Sequence, residues 1–465
     1  MDQHTSPMEA EASAAASITF AEAFRVWVQV GLQSFGGPAG QIAVMHRLLV
    51  DEKRWVSEHR FLHALNYCML LPGPEAQQVA TYIGWLMHGV RGGLAAGLLF
   101  VLPGFVSILA LSFVYVAFEG VAVVGALFFG LKAAVLAVVV EAVIRIGRRV
   151  IKNGVMLALA VGAFVGIFVF ELPFPLIVVA AGLCGLVGGW LRPATFVVIR
   201  PHTSQEGAAE VVDALLDKQQ PEHTRPSLGR AVRVLVVCAL LWFGPLAVLA
   251  ALLGVGHVFV VEGIFFSKAA VVTFGGAYAV LAYIAQQAVQ RYAWLQPSEM
   301  LDGLGMAETT PGPLIQAVQF VGFMGAYRNP GMLDPYVAGT LGAVLTTWVT
   351  FVPCFLWIFL GAPYIEWLRG NRHLSAALSA ITAAVVGVVL NLGVWFALHV
   401  MFAEVSERSG PLGMRLLVPS LASVDGVAVV IAVAAFVAMI RFKIRMLPVL
   451  GVSAAVGIVA KLATG

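Results

Sequence analysis

Charged residues are scarce in this amino-acid sequence. Only 11% of its 465 residues are Asp, Glu, Lys or Arg and 60% are hydrophobic, whereas soluble domains carry roughly 25% charged residues. Apolar runs near the length that crosses a hydrocarbon core as a helix recur along the chain, as in 94–118 and 154–170. The short alternating segments of a closed β-barrel are not evident. The composition therefore predicts an all-α polytopic membrane protein.

Cysteine is also rare, and the sequence lacks the pattern of a disulfide framework or a metal site. The four cysteines are scattered singly through apolar stretches, at Cys68, Cys184, Cys238 and Cys354. His59 and His63 have a spacing that two metal ligands on one helix can use. No third ligand is evident, so we interpret them as a solvated pair at a helix entrance. We expect no metal and no cofactor.

Two further absences restrict location and function. Residues 1–19 contain no Lys or Arg, so they lack the basic region of a signal peptide, and we expect the first helix to be an uncleaved anchor. Nothing resembles a Walker A loop, a zinc-protease motif or a nucleophile elbow, so the sequence predicts neither an ATPase nor another enzyme. The net charge of +3 is small and gives no indication of a nucleic-acid partner.

What the sequence does contain is an internal repeat. The stretch SFGGPAG begins at residue 34, and TFGGAYA begins 239 residues later, at 273. The same offset, without a gap, relates a tryptophan, a Pro-Gly-Pro motif and a glutamine in the two copies: Trp55 and Trp294, 72–74 and 311–313, Gln77 and Gln316. Chance is a poor explanation for so many matches in one register.

The repeat continues beyond these motifs with insertions. The stretch from Lys132 parallels that from Thr382, and the stretch from Asn153 parallels that from Asp425. Between the two copies lies a hydrophilic segment that mixes acids, bases, Pro and Gly, as a surface linker does. The predicted divisions are an N-terminal tail, 1–19, a first repeat, 20–192, a cytoplasmic linker, 193–230, an extra transmembrane helix, 231–257, and a second repeat, 258–465.

The extra helix determines how the halves are oriented. If each half crosses the membrane an even number of times, one added crossing inverts the second half. Counting 61–88 as a crossing gives six segments per half and about thirteen in all. Most short basic loops then lie in the cytoplasm, but the loop at 46–60 disagrees, and it would agree if 61–88 were a re-entrant hairpin. We predict inverted repeats and leave both paths of 61–88 open.

The Pro-Gly-Pro motifs interrupt apolar segments in both halves. Proline removes an amide donor and glycine loosens the backbone, so 61–71 and 76–88 are predicted to be two half-helices. Paired breaks of this kind are typical of a transporter's binding site, where irregular backbone lines a cavity. The predicted substrate-binding residues at the breaks are Gly36, Gly37, Pro72, Gly73, Pro74 and Gln77 in the first half and Gly275, Gly276, Pro311, Gly312, Pro313 and Gln316 in the second.

Ionisable residues inside apolar runs are further candidates, because a charge in hydrocarbon is costly. Lys268 lies six residues before Phe274 and is the candidate counter-charge for a bound anion. Glu75 and Glu308 flank the two Pro-Gly-Pro motifs and are the candidates for proton coupling. The remaining intramembrane charges are interpreted as interfacial or packing residues, namely Arg25, Lys132 and Glu141.

Together these motifs resemble the chromate ion transporter family. SFGGPAGQIAVMHRLLVDEKRW followed by LPGPEAQQVATYIGWLMHG carries the resemblance in the first half. TFGGAYAVLAYI and TTPGPLIQAVQFVGFMGAY resemble the second domain of the long, two-domain members. The resemblance implies a bacterial inner-membrane protein, an ion-driven secondary transporter with oppositely oriented halves that exports chromate and confers resistance. It also favours thirteen crossings over the re-entrant path of 61–88.

The resemblance also bears on ligands and on alternatives. Chromate is a tetrahedral dianion similar to sulfate, so transport of sulfate or a related oxyanion is the alternative function, with protons as the expected coupling ion and a homodimer left open. A dianion in low dielectric needs positive charge or oriented donors, and the half-helix N-termini after Pro74 and Pro313 can supply donors. A membrane-embedded enzyme or sensor is the weaker alternative, since 193–230 is too short and polar for a signalling domain.

Overall fold

The computed structural model describes residues 18–69, 71–118, 121–196, 224–274, 276–364, 372–411 and 414–464. The predicted tail up to residue 17 and the linker from 197 to 223 lie outside the described residues. Within the described ranges nearly every element is a helix, and the exception is one antiparallel pair of strands. Seven of these helices are long and apolar enough to span a membrane. The prediction of an all-α polytopic membrane protein is confirmed.

The first half begins with short helices and continues with long ones. Its helices are α1 (Phe20–Gln33), α2 (Gly37–His46), α3 (Glu58–Cys68), α4 (Glu75–Ala117), α5 (Ala122–Val150), α6 (Gly154–Phe168), α7 (Phe174–Leu191) and the short α8 (Pro193–Phe196). A π-helix, Arg47–Glu52, extends α2. The side chains of Thr19, Ser57 and Asn153 accept hydrogen bonds from the first turns of α1, α3 and α6. These caps satisfy amide donors that a helix start leaves free.

The second half follows the helix α9 (Leu228–Leu253). Its helices are α10 (Val258–Val271), α11 (Ala277–Gln286), α12 (Pro297–Thr309), α13 (Ala317–Arg328), α14 (Pro335–Gly361), α15 (Arg372–Met401), α16 (Gly426–Ile440) and α17 (Met446–Thr464). Short turns of other helix types complete it, a π-helix at Gln287–Arg291 and 3₁₀ turns at Leu314–Gln316, Ala362–Tyr364 and Leu421–Ser423. Strands β1 (Val405–Ser409) and β2 (Arg415–Pro419) pair between α15 and α16.

The two halves contain the same elements in the same order. Helices α1, α2 and α3 correspond to α10, α11 and α12, and the short π-helix follows the second helix in each half. The beginning and the remainder of α4 correspond to α13 and α14, and α5 to α7 correspond to α15 to α17. The strand pair is an insertion between two corresponding helices. The similarity found at the motifs therefore extends along the folded chain.

The segment around each Pro-Gly-Pro motif returns to the side of the membrane from which it started. In the second half, Arg328 at the end of α13 donates to the Trp294 carbonyl oxygen at 2.9 Å, so α13 ends beside the start of α12. In the first half, the rings of Tyr67 and Tyr82, before and after the motif, have centroids 5.5 Å apart. The segment 61–88 is therefore re-entrant and does not cross. Sequence could not decide this, because a broken helix has the same hydropathy whether the chain continues or turns back.

The Phe-Gly-Gly break also joins two antiparallel half-helices. Phe265 on α10 and Tyr283 on α11 each lie nine residues from Phe274, and their ring centroids are 5.5 Å apart. The ring of Phe266 stacks on Trp294 with centroids 6.1 Å apart, which places the start of α12 beside α10. Each half thus begins with two re-entrant hairpins side by side.

The 43-residue helix α4 contains a reversal of direction. His88 and Gly89 have non-helical dihedral angles, with φ 59° and ψ −149° at Gly89, a region open only to glycine. The arms before and after this point, 75–88 and 90–117, pack antiparallel. A Cβ atom on Gly84 would lie 2.5 Å from the Gly92 carbonyl oxygen, so glycine is required for their close approach.

Following this path, the described helices make nine crossings and four re-entrant hairpins instead of thirteen crossings. The crossings are the second arm of α4, then α5, α6, α7, α9, α14, α15, α16 and α17, of which α6 and α16 have only 15 residues each. Because α9 adds one crossing, the second half is inverted. The basic loops after α2, α5 and α16 then share one side of the membrane, as the positive-inside rule requires. The conflict at 46–60 is resolved.

The halves are interleaved and do not fold as separate bodies. The buried cluster that holds the hairpins of the first half, including Trp27, Trp55 and Trp85, also contains Phe355 and Phe359 of α14. Helix α14 packs closely on the second arm of α4 and on α9. Each set of hairpins is therefore held in place by a long helix of the opposite half.

Candidate functional site

Two hydrogen bonds join the breaks of opposite halves. The Gly73 amide donates to the Thr273 carbonyl oxygen at 2.8 Å, and the Gly312 amide donates to the Ser34 carbonyl oxygen at 2.9 Å. Gly312 and Thr273 lie 239 positions after Gly73 and Ser34, so the same contact occurs twice. The four breaks are therefore joined in two equivalent pairs, each made of one break from either half.

Each Pro-Gly-Pro turn packs against a long helix of the other half. A Cβ atom on Gly312 would lie 3.1 Å from Gly104 Cα on α4, and one on Gly73 would lie 3.0 Å from Cys354 Sγ on α14. Gly104 and Cys354 each follow a proline inside the helix. Such a proline removes an intrahelical hydrogen bond and loosens the helix locally. The site is enclosed by hairpins and one weakened long helix from each half.

The glycines at the breaks are required by the backbone itself. Gly36, Gly73, Gly276 and Gly312 have φ angles of 86°, 128°, 104° and 103°, which residues with side chains rarely adopt. Gly37 also has a positive φ of 65°. The other predicted glycine, at position 275, lies outside the described residues. Each of the four breaks thus contains a glycine whose positive φ permits the tight turn.

The segments after the two Pro-Gly-Pro turns begin at the joined breaks. Pro74 immediately precedes α4, and Pro313 precedes the 3₁₀ turn that leads into α13. The first amides of such segments lack intrahelical acceptors and form the positive end of the helix dipole. Pro72 and Pro311, on the other side of each turn, are partly exposed. Each joined pair of breaks is therefore followed by a segment that begins with free amide donors.

Buried glutamine side chains line these first turns. Gln77, Gln78 and Gln316 are at most 1% exposed, and the Oε1 atom of each has no protein partner. Gln77 Nε2 donates to Thr81 Oγ1 at 3.0 Å, and Gln316 Nε2 donates to Gln319 Oε1 at 3.2 Å. Turning an amide over exchanges its donor and its acceptor. The glutamines can therefore offer hydrogen atoms to an anion without adding a fixed charge.

Three further glutamines make hydrogen bonds at the breaks. Gln41 on α2 donates to the carbonyl oxygen of the second Pro-Gly-Pro glycine at 2.6 Å. Gln319 on α13 donates to a carbonyl oxygen of α4 at 2.9 Å, and Gln78 donates into its own Pro-Gly-Pro turn at 2.8 Å. None has a glutamine at its counterpart in the other repeat. The signal that could have found Gln41 and Gln319 is an uncharged polar residue inside an apolar half-helix.

The two carboxyl groups at the breaks have different surroundings. Glu308 is 1% exposed, the Tyr278 hydroxyl donates to its Oε1 at 2.5 Å, and its Oε2 has no partner. Glu75 lies in the first turn of α4 and is partly buried. Their repeat counterparts are Met69 for Glu308 and Leu314 for Glu75. The carboxyl groups therefore break the symmetry of the site.

A buried ion pair joins the halves where the sequence indicated only packing. Lys132 Nζ on α5 lies 3.1 Å from Asp302 Oδ2 on α12, and the Tyr115 hydroxyl donates to the same oxygen at 2.9 Å. Asp302 is 2% exposed. The interpretation of Lys132 as an interfacial or packing residue is corrected by this contact. Its partner is 170 residues away in the chain, so no local pattern could reveal it.

The structure does not bring Lys268 to the breaks. Its side chain is exposed, on the same stripe of α10 as the exposed Ile264 and Val271. Arg25 is likewise exposed on α1, and Glu141 lies 3.5 Å from its neighbour Arg145 along α5. His63 lies within α3, and the side chain of His59 is outside the described set. In the described part of the chain, no three His, Cys, Asp or Glu side chains form a metal-binding group.

A different cation approaches the first break. Arg149, near the end of α5, lies with Nη2 3.0 Å from Met69 Sδ, just before the Pro-Gly-Pro turn. It is also close enough to Glu75 to interact with it electrostatically. Arg149 is exposed and lies on the side of the basic loops.

Repeats with interrupted helices around buried polar groups are typical of membrane transporters. The chain belongs to the chromate transporter family, whose family model, "Chromate transporter", matches residues 21–186 and 263–458. It is 32% identical over 377 residues to the chromate transport protein of Pseudomonas aeruginosa, covering 80% of each chain. It is 27% identical over 391 residues to the chromate transport protein of Cupriavidus metallidurans, covering 83% of this chain and 86% of that protein.

A more distant relative carries no substrate in its name. The chain is 24% identical over 378 residues to an uncharacterized transporter of Methanocaldococcus jannaschii, covering 81% of this chain and 84% of that protein. No solved structure matches the chain. The family assignment makes the protein a transporter and not an enzyme, a multi-pass membrane protein that in bacteria resides in the inner membrane.

Proposed function

We propose that the protein is a secondary active transporter that exports chromate across the bacterial inner membrane in exchange for protons and so gives chromate resistance. Its two repeats, 20–192 and 258–465, are proposed to form the two moving halves. The observation that carries the proposal is the meeting of four helix breaks from oppositely oriented halves, through the Gly73–Thr273 and Gly312–Ser34 hydrogen bonds. Relatives named as chromate transport proteins support chromate as the cargo.

The centre has the chemistry that a dianion needs. An oxyanion that leaves water must exchange its hydration shell for oriented donors. The amides after Pro74 and Pro313 can supply donors from the positive ends of two helix dipoles. Gln77 and Gln316 are buried beside them. Arg149, exposed near the first break, is proposed to attract the anion from the cytoplasmic side.

The duplicated contact is suited to alternating access. Because the two cross-half bonds are equivalent, breaking one while the other remains opens the centre to one side only. The mirrored motion opens it to the opposite side. The prolines before Gly104 on α4 and before Cys354 on α14 lie next to the points where the Pro-Gly-Pro turns contact these helices. They are proposed to act as the flexible points of the motion.

The carboxyl groups at the breaks are proposed to couple transport to protons. Glu308 is buried and has one oxygen bound by Tyr278 and one free. Glu75 lies close to Arg149. An anion at the breaks would repel both carboxylates, so the protonation of these groups and the occupancy of the site are linked. Because this repulsion by itself favours a proton and the anion binding together, exchange in opposite directions also needs a proton site that is empty while the anion is bound.

Sulfate is the second candidate cargo. The polar groups lining the centre are backbone amides and glutamine side chains, which recognise a tetrahedral dianion by shape and charge and have no means of recognising chromium. Sulfate and chromate have the same shape and charge. We therefore propose that sulfate competes for the site, whichever ion the protein transports in the cell.

The proposal is tested by chromate uptake into inside-out membrane vesicles, with and without an imposed proton gradient. We expect accumulation that depends on the gradient and falls in excess sulfate. Gln77→Ala and Gln316→Ala are each expected to abolish it, because each removes a donor from the centre. Gln29→Ala is the matched control, since Gln29 is exposed on α1.

Correct insertion of each variant is verified before uptake is compared. Uptake by Gln29→Ala should equal that of the unaltered protein. Absence of gradient-driven chromate accumulation by folded, unaltered protein would refute chromate export coupled to protons. Full uptake by both Gln77→Ala and Gln316→Ala would show that the substrate site does not lie at the breaks. The family assignment would not be affected.

A further inference from the structure

A carboxyl group that the proposed function does not use lies inside the second half. Glu262 on α10 is 0% exposed, and neither of its carboxyl oxygens has a hydrogen-bond partner. Glycines on two neighbouring helices make room for it. A Cβ atom on Gly325 of α13 would lie 2.5 Å from Glu262 Oε1, and one on Gly342 of α14 would lie 3.2 Å from its Oε2.

The surroundings of Glu262 contain no described group that would hold a carboxylate anion. On α13, Arg328 is one turn beyond Gly325 but donates both of its terminal nitrogens to Glu299. On α14, Thr346 is also fully buried, and its hydroxyl has no partner. An unpaired carboxylate buried in low dielectric is strongly disfavoured. The neutral acid is the form that this packing accommodates.

The other helices packed on α10 do not supply a counter-charge either. The part of α9 nearest to Glu262, 245–253, has no ionisable side chain. Of the remaining neighbours, the Tyr278 hydroxyl is hydrogen-bonded to Glu308 and the His257 imidazole to the Phe259 amide. The rings of Tyr283, Tyr327 and Tyr336 pack on those of Phe174, Phe323 and Phe113. Glu262 is therefore isolated from other titratable groups in this conformation.

Glu262 is not needed to build the repeat. Its counterpart in the first half is Ala23, which is buried on α1 at the equivalent place. A small apolar residue is thus sufficient for this packing. The other buried acids of the second half, Glu299, Asp302 and Glu308, likewise correspond to Arg60, His63 and Met69. Among the described residues, the fully buried carboxyl groups all lie in the second half.

Glu262 also lies toward one side of the membrane. It is twelve residues before Phe274, beside Trp294 and the end of α13, where the hairpins of the second half return to the surface. That surface is opposite to the one that carries the basic loops, and is therefore the outer side. A proton that drives export enters from that side.

We propose that Glu262 is a proton-binding site of the transport cycle, filled from the outer side and separate from the breaks. In the state described, the carboxyl group holds a proton between α10, α13 and α14. When α10 moves away from the α13–α14 pair, water reaches the group, the carboxylate forms and the proton is released to the water. The proposal rests on the proposed function in that the movement is the one that transports the anion.

Infrared difference spectroscopy tests proton binding without any transport. We expect the purified protein to show a protonated carboxyl band that shifts in D₂O and is lost in Glu262→Gln, an isosteric change. Glu404→Gln, at an exposed acid of the loop before β1, is the matched control and should keep the band. A band of equal size in the unaltered protein and in Glu262→Gln overturns the assignment.

Transport in liposomes tests the role of that proton. If Glu262 carries one proton per cycle, Glu262→Gln should lower the limiting chromate accumulation about tenfold for each pH unit of imposed gradient, while downhill chromate exchange continues. Unchanged chromate accumulation in Glu262→Gln overturns this role. The role is also overturned if a Na⁺ gradient at constant pH drives accumulation in the unaltered protein and Glu262→Gln abolishes it, because the group would then bind Na⁺. If the unaltered protein moves no chromate, the proposed function fails, and the infrared result still decides whether Glu262 binds a proton.

Discussion

Lys132 Nζ lies 3.1 Å from Asp302 Oδ2, and this ion pair fastens α5 of the first half to a re-entrant hairpin of the second. The counterparts of the two residues are Thr382 and His63. Only one of the two equivalent interfaces therefore carries the charged pair. The halves share a fold, but the contacts that hold hairpins to the opposite half differ in strength and chemistry.

Lys132→Met is expected to destabilise the protein by about 3 kcal/mol, because Asp302 would remain buried without its cation. Thermal unfolding in detergent measures the effect. The double variant with Asp302→Asn should recover most of the loss, since Tyr115 can still donate to the amide oxygen. A double variant no more stable than Lys132→Met would show that the pairing of charges is not what the interface depends on.

Lys268→Met serves as the control for charge removal. Lys268 is exposed on α10 and does not belong to the buried groups at the breaks. We expect a change in stability within about 0.5 kcal/mol, as for surface substitutions in general, and chromate uptake close to that of the unaltered protein. Loss of uptake in folded Lys268→Met would instead restore Lys268 as the counter-charge of the site.

Gly312→Ala should disable transport and lower stability by about 1–3 kcal/mol, because Gly312 has φ 103° and touches Gly104 of the other half. Uptake and thermal unfolding are measured together. Gly162→Ala on α6 is the matched change, since a Cβ atom there meets nothing within 4 Å. Equal behaviour of the two variants would mean that the second Pro-Gly-Pro turn does not need its tight approach to α4.

The re-entrant path of α3 and α4 is tested by cysteine labelling from one side of the membrane, in a background without the four native cysteines. Single cysteines that replace Glu52 or Lys152 should react with a reagent from the same side, because the loops after α2 and α5 lie on the same side of the membrane. A cysteine at Gln290 should react from the opposite side. All three positions are exposed. Labelling of Glu52→Cys and Lys152→Cys from opposite sides would make 58–88 a crossing.

A hydrogen bond joins α9 to α14. It uses a carbonyl oxygen of α9 that a proline leaves without its usual donor. Pro245 cannot donate to the Leu241 carbonyl oxygen, and the Trp348 indole donates to it instead at 2.7 Å. Trp348→Phe leaves that oxygen without a donor and is expected to cost about 1 kcal/mol of stability. Thermal unfolding checks it, with Trp190→Phe as control, since Trp190 is 75% exposed. Equal unfolding temperatures would contradict the assignment.

The positions of the helix breaks were predictable because proline and glycine act locally. The motifs around Gly36, Gly73 and Gly312 interrupt helices in the structure as predicted. The direction of the chain after each break was not predictable, because it depends on contacts such as that of Arg328 with Trp294. The count of crossings changed for this reason, whereas the inverted relation of the halves did not.

The centre of the site was only partly visible in sequence. Gln77 and Gln316 stood out because both repeats keep them, and Gln41 and Gln319 did not because they lack counterparts. Lys268 was selected for its charge, yet the orientation of its helix face decides its surroundings. Lys268 shares one face of α10 with Ile264, which is exposed. The sequence shows that the two residues share a face, but only the packing of α10 in the structure shows that this face is exposed.

Binding of radiolabelled chromate to the purified protein tests the central claim most directly, because it separates the site from coupling and from direction of transport. We expect saturable binding that sulfate displaces, and at least about a tenfold weaker affinity in the double variant Gln77→Ala, Gln316→Ala, since buried charge-assisted hydrogen bonds contribute roughly 1.5–3 kcal/mol each. Gln29→Ala should bind as the unaltered protein does. Equal affinity of the double variant, in folded protein, would contradict a chromate site at the paired breaks.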